Sequence, residues 1–260
     1  MEKQLVLSEM KGRTAIITLN NPPVNVIDTT LRAQLKAALK AAAYDDKVTT
    51  IIITGQEKAF MAGADIGGFP EMIGKPNAAY EFVYDAYDPW YFLESIEKPT
   101  IAAINGLALG AGLEMALCCD IRIAAENAKL GLPEIKLGLF PGGGGTQRLA
   151  RLIGKAKTKE LIYLGEPITS QEALSLGIVN HVVPKGEALM QALIMAETFN
   201  QRSLIALSAA KRAIDQGNNV SLREGIELEA REFQRVFLSK DVKEGVSAFL
   251  EKRSPEFQNR

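Results

Sequence analysis

Apolar and polar positions change rhythm several times along this chain, and each change marks an element. Thr14-Ala-Ile-Ile-Thr-Leu19 is a β-branched run closed by the turn residues Asn20-Asn-Pro-Pro-Val-Asn25, which predicts a strand. Leu31, Leu35 and Leu39 then recur every fourth residue with Ala38 and Ala42 alongside, and Asp28 is placed to cap the helix they predict. Val48-Thr-Thr-Ile-Ile-Ile-Thr54 is apolar without alternation, as in a strand buried on both faces. Thr100–Ile104 and Asp120–Ala124 read as further strands, with a glycine turn and a helix carrying Glu114 between them. Strands alternating with helices predict right-handed crossovers and a largely parallel sheet, an α/β fold.

The pattern becomes helical after about residue 150. Thr169-Ser-Gln-Glu172 and Ser221-Leu-Arg-Glu224 fit the capping box, and Gly177 is placed to close the first of these helices. Residues 186–215 and 221–252 predict two or three helices, with Leu222, Ile226, Phe233 and Phe237 on apolar faces. No Pro/Ser-rich linker or internal repeat interrupts the chain. We therefore expect a core at 1–195 and a helical region at 196–260, packed on the sheet or on a neighbouring subunit.

Bulk properties remove several classes of function. The net charge is −1 and the pI about 6.0, which gives no overall attraction to nucleic acid or an anionic membrane. No apolar run reaches the roughly 20 residues that span a bilayer, and the N-terminus has no apolar h-region. The two cysteines, Cys118 and Cys119, are adjacent and read as reduced core residues of a cytoplasmic protein. His181 is the single histidine. It lies in a short strand pattern without a Gly-x-Ser-x-Gly partner, so it reads as a surface or strand-edge residue. His-rich metal sites are excluded.

The chemistry concentrates in two glutamates. Glu114 lies in Gly106-Leu-Ala-Leu-Gly-Ala-Gly-Leu-Glu114, and Glu134 precedes Ile-Lys-Leu-Gly-Leu-Phe-Pro-Gly-Gly-Gly-Gly-Thr146. Both surroundings are apolar and glycine-rich, where an unpaired charge is costly. Two carboxylates in one dry pocket acquire separated pKa values, which suits acid–base work. The glycine junctions at Gly106–Gly112 and Pro141–Thr146 aim free backbone N–H groups at whatever lies in front of them, or else merely permit tight turns. Two such donors on one carbonyl oxygen form an oxyanion hole, with the loop Phe60-Met-Ala-Gly-Ala-Asp-Ile66 a source for one of them. A Walker phosphate loop is absent, and Gly110-Ala-Gly112 lacks the third glycine of a dinucleotide fingerprint.

Three segments, Ala59-Phe-Met-Ala-Gly-Ala-Asp-Ile66, Asn105-Gly-Leu-Ala-Leu-Gly-Ala-Gly-Leu-Glu114 and Leu132-Pro-Glu-Ile-Lys-Leu-Gly-Leu-Phe-Pro-Gly-Gly-Gly-Gly-Thr-Gln-Arg-Leu149, resemble the crotonase (enoyl-CoA hydratase/isomerase) superfamily. The likeness runs from about residue 4 to the C-terminus. It implies a superhelix of ββα units with a C-terminal helical trimerisation region, usually assembled as a homohexamer of two trimers. It also implies an acyl-CoA substrate and no metal or redox cofactor. The N–H groups of Ala64 and Ala111 would form the oxyanion hole, although the family more often has glycine at the second position. Gly142 would begin a helix whose N-terminus helps polarise the thioester. Lys58, Ala62, Asp65 and Ile66 match positions beside the CoA, and Phe249 and Lys252 match an adenine and 3′-phosphate contact made across a subunit interface. Gly67 stands where hydratases often carry a lysine.

Keeping both glutamates resembles the hydratases. Glu114 would take a proton from water as hydroxide adds at C3, and Glu134 would deliver one to C2. The resemblance leaves other readings open: an enoyl-CoA isomerase, a hydratase of a branched or aromatic pathway, or an RNA-binding relative, which the near-neutral charge disfavours. Residues Gly67–Lys98 hold acyl-chain specificity in the family. Tyr80, Tyr84, Tyr87 and Tyr91 share one helical face, read here as core packing, with Pro89 kinking or ending the helix. Phe82, Trp90 and Phe92 add bulk that predicts short to medium acyl chains.

Overall fold

The computed structural model describes residues 3–259. Its first half runs β1 (Val6–Lys11), β2 (Thr14–Leu19), α1 (Thr29–Tyr44), β3 (Thr50–Gly55), β4 (Ala59–Ala62), α2 (Phe69–Met72), α3 (Ala78–Ser95), β5 (Thr100–Ile104), β6 (Leu107–Leu109) and α4 (Ala111–Ala116). Then come β7 (Ile121–Ala125), β8 (Lys129–Gly131), a 3₁₀ turn (Pro133–Leu137), α5 (Gly145–Ile153), α6 (Lys155–Leu164), β9 (Ile168–Thr169), α7 (Ser170–Ser175) and β10 (His181–Val183). Four helices close the chain: α8 (Ala188–Asn200), α9 (Leu204–Gly217), α10 (Leu222–Phe237) and α11 (Lys240–Glu251).

The strands form two sheets. The larger has the order β1-β2-β3-β5-β7-β10, parallel except for the β1–β2 pair. The smaller has the order β4-β6-β8-β9. In each of the pairs β3/β4, β5/β6 and β7/β8 the first strand joins the large sheet and the second crosses to the small one before the chain turns helical. This is a repeated ββα unit, and it stacks the glycine junctions on one side of the molecule.

The continuous apolar run of β3 is explained by burial on both faces. Ile51 and Ile53 join a core with Leu31, Leu35 and Leu39 of α1, with Phe60 and with Leu93. Ile52 points the other way, into a second core with Ile101, Ile123 and the alanine face Ala188, Ala192 and Ala196 of α8. Burying one such aliphatic side chain contributes about 1.5–3 kcal/mol. Asp28 caps α1 by accepting from Leu31 N at 2.7 Å, both capping boxes are formed, and Gly177 takes φ 76°.

Several expectations are corrected. The ββα units implied by the resemblance are present, but the hydrophobic pattern alone does not show their second strands, because strands of two to four residues are too short to alternate and β6 lies inside the Gly106–Gly112 junction. The C-terminal region holds four helices rather than two or three. The division expected at 195/196 falls inside α8, which packs on the large sheet. Helix α3 runs through Pro89 to Ser95, forgoing one backbone hydrogen bond. The tyrosine stripe is not core: Tyr80, Tyr84 and Tyr91 are exposed. Leu222, Ile226, Phe233 and Phe237 are exposed too, so the apolar face of α10 is not packed on the chain's own sheet. Ion pairs tie this region to the core, with Lys211–Asp120 at 2.9 Å and Arg212–Glu97 at 3.0 Å, while Arg212–Glu232 at 2.7 Å links α9 to α10. No helix among the described residues is long and apolar enough to cross a membrane.

Candidate active site

A cavity of about 510 Å³ opens between the glycine junctions and the α2–α3 segment. Its inner end is lined by Ala64, Ala111, Glu114, Glu134, Gly142 and Trp90. Phe69, Met72, Phe82 and Val83 supply the α2–α3 wall.

Two peptide units aim their N–H groups into this space. The carbonyl of Gly63 accepts from Ile27 N at 3.0 Å. In a trans peptide the N–H lies opposite the carbonyl, so Ala64 N–H is turned away from Ile27. The φ of +92° at Gly63 makes that turn, a conformation an L-residue rarely adopts. Likewise Gly110 O accepts from Glu114 N at 3.0 Å inside α4. Ala111 N–H therefore points out of the helix start, where no intrahelical acceptor exists. Gly110 permits this with φ 53° and ψ −123°. Ala111 is the first residue of α4, and its methyl group takes no part in presenting the N–H.

The first loop is braced by a residue that sequence reasoning missed. Asn25 is 1% exposed, and its amide donates to Ala59 O at 2.9 Å and Phe60 O at 3.2 Å. It thereby pins the corner that leads into the Ala64 loop.

Glu114 is 2% exposed. Its Oε1 accepts from Gly143 N and Gly145 N, both at 2.8 Å. Gly145 is the first residue of α5, so this carboxylate caps a helix N-terminus, where backbone dipoles favour negative charge. Burial opposes that ionisation and dominates, with Glu134 adding repulsion; together they push Glu114 up to about 7. With Oε1 engaged, Oε2 is the oxygen left for chemistry. Glu134 sits in the 3₁₀ turn, and burial also raises its pKa. Its Oε2 is buried with no hydrogen-bond partner among the described residues. Hydrogen bonding therefore supports the anion on Glu114 and gives none to the Oε2 of Glu134.

The expectation for Gly142 is corrected. It lines the cavity, but α5 begins at Gly145 behind Gly144, and the amides near its start are taken by Glu114 rather than left for a substrate oxygen. Arg148 was also missed. It pairs with Glu94 of α3 at 2.8 Å and donates to Gly143 O at 3.1 Å, fastening the glycine loop to the far wall. Of the residues matched to CoA contacts, Ala62 and Ile66 line the cavity. Lys58 and Asp65 are exposed outside its lining, with Asp65 Oδ1 accepting from Gly67 N. Phe249, 82% exposed, and Lys252, in a left-handed conformation at the end of α11, stand apart from the cavity within this chain.

Known proteins resemble this chain over nearly its whole length. The Enoyl-CoA hydratase/isomerase family model matches residues 9–260. A probable mitochondrial enoyl-CoA hydratase of Dictyostelium discoideum is 45% identical, covering 97% of this chain and 90% of its own. The 2,3-dehydroadipyl-CoA hydratase of Escherichia coli is 42% identical over 99% of both chains. The crystal structure of an enoyl-CoA hydratase from Bacillus anthracis superimposes with a TM-score of 0.93 at 38% identity, covering 99% of this chain and 100% of that one. With its ββα repeats and full-length matches, this chain belongs to the enoyl-CoA hydratase/isomerase family.

Proposed function

We propose that this protein is an enoyl-CoA hydratase that adds water across the 2,3-double bond of a 2-trans-enoyl-CoA to give a 3-hydroxyacyl-CoA. The observation that carries this reading is the pairing of two inward-facing carboxylates, Glu114 and Glu134, with two inward-facing amides, Ala64 and Ala111, in one cavity. The amides hold the thioester oxygen and stabilise the enolate that develops on it, a contribution of about 3–4 kcal/mol. Glu114 Oε2 removes a proton from water as its oxygen bonds to C3. Glu134 protonates C2 as the enolate collapses, and the two carboxyls then re-equilibrate their protons. Migration of a double bond needs one proton carrier; holding a water favours two.

The apolar α2–α3 wall suits an acyl chain of short to medium length. Fatty-acid β-oxidation in the cytoplasm is a setting that matches this chemistry. The exposed apolar faces of α10 and α11 suit the homohexamer built from two trimers, which would bring Phe249 and Lys252 to a neighbour's CoA.

Loss of the conjugated enoyl-thioester absorbance of crotonyl-CoA tests the reading directly. The chain should hydrate crotonyl-CoA, and faster turnover of the C12 substrate than of C4 would overturn the chain-length assignment. Double-bond migration in a 3-enoyl-CoA without any hydration would assign it to the isomerases instead.

A further inference from the structure

Trp90 lies on α3, is 3% exposed and lines the cavity together with Glu114. An indole N–H is a donor only. Trp90 Nε1 donates to no protein acceptor among the described residues. Among the described residues Glu134 Oε2 is the one sealed-in side-chain polar atom without a partner, so Trp90 Nε1 keeps access to the cavity that its ring lines. A phenylalanine would fill the same wall without presenting a donor to the cavity, so packing alone does not account for the indole nitrogen.

The position of Nε1 gives it a use. A Cβ atom built on Gly143 would collide with Glu114 Oε2 and would lie 2.9 Å from Trp90 Nε1. Both atoms therefore border the same small space over Gly143, and the gap between them is within about 5 Å. One water with two bonds of about 2.8 Å spans such a gap. Facing that space are an acceptor, Oε2, and a donor, Nε1–H.

We infer that Trp90 is a further catalytic residue of the hydration: its Nε1–H donates to the oxygen of the attacking water while Glu114 Oε2 accepts that water's proton. This rests on the hydratase reading above. The water oxygen offers one lone pair to the indole and directs the other at C3. As the C3–O bond forms, one O–H bond breaks and its proton passes to Glu114; the indole keeps its own proton throughout. In the reverse direction the same N–H stabilises the hydroxyl oxygen as it leaves. Only three or four directions exist around a water, and fixing two of them restricts where its nucleophilic lone pair points.

Trp90→Phe removes the donor and keeps the wall. The expected result is a 10- to 100-fold fall in kcat for crotonyl-CoA, with KM within about twofold and the same factor for a C8 substrate. Trp90 is also the single tryptophan of the chain, so its indole N–H gives one resolved NMR signal. That signal should move downfield with 3-hydroxybutyryl-CoA, whose hydroxyl occupies the water position, and much less with butyryl-CoA. An unchanged C4 kcat in Trp90→Phe, a shift only in C4/C8 preference, or equal NMR responses to the two ligands would overturn the assignment. A wild-type chain that hydrates no enoyl-CoA would remove the underlying reading as well, and the wild-type assay reports that separately.

Discussion

At Glu114 two demands on one carboxyl meet. Gly143 and Gly145 hold its anion, yet burial raises its pKa to about 7, so near neutral pH both protonation states are populated. In the proposed hydration Glu114 must be ionised to take a proton from water, and kcat/KM for crotonyl-CoA should therefore rise with an apparent pKa near 7 on the acid limb. Glu114→Gln and Glu134→Gln should each lower kcat by about 10²–10⁴-fold while circular dichroism stays unchanged. The stability effect has a definite sign. The folded state binds the Glu114 proton more tightly than the unfolded chain, so stability falls as pH rises from the ordinary carboxylate range through about 7. Above that range Glu114→Gln is relieved of this cost, on the order of 3 kcal/mol, and its Tm at pH 8 should exceed that of the wild type. A lower Tm at pH 8 would contradict it. Both glutamates were legible in the sequence, because charge in an apolar, glycine-rich setting is anomalous by itself. The separate engagement of Oε1 and Oε2 was not, because it depends on where the amides near the start of α5 fall in space.

Elements place these residues through close backbone approach. At Gly143 an added Cβ would overlap Glu114 Oε2, so Gly143→Ala should displace the carboxylate. We expect a kcat loss of about 10²-fold with the denaturation midpoint nearly unchanged, read from parallel activity and urea titrations. Asn25→Ala acts at the other loop. It strips donors from Ala59 O and Phe60 O and should destabilise the fold by about 2–3 kcal/mol. The long apolar periodicities of α1 and the β-branched run of β3 were readable in advance, since each carries enough residues to define a period. The strands β4, β6 and β8 were not, because with three or four residues apiece their pairing is set by neighbours rather than by pattern. The tyrosine stripe shows the same limit from another side. Periodicity identified the helix and its face, but which face is buried depends on what packs against it.

For the whole molecule, the exposed Leu222, Ile226, Phe233 and Phe237 line one face of α10, and contiguous exposed apolar side chains of this kind mark interaction surfaces. Sedimentation should report a mass several times the 28.2 kDa of one chain, and Phe237→Glu should shift it toward smaller species. A wild-type monomer at micromolar concentration would contradict this. Both carboxylates open into the one cavity that Ala64 and Ala111 also line. In the proposed hydration, oxygen and hydrogen delivered from these two carboxylates reach one face of the double bond. Run in D₂O, the reaction should thus leave a product with one deuterium at C2, in one relative configuration to the new hydroxyl. The proton coupling constant between C2 and C3 would reveal a mixture of diastereomers at once.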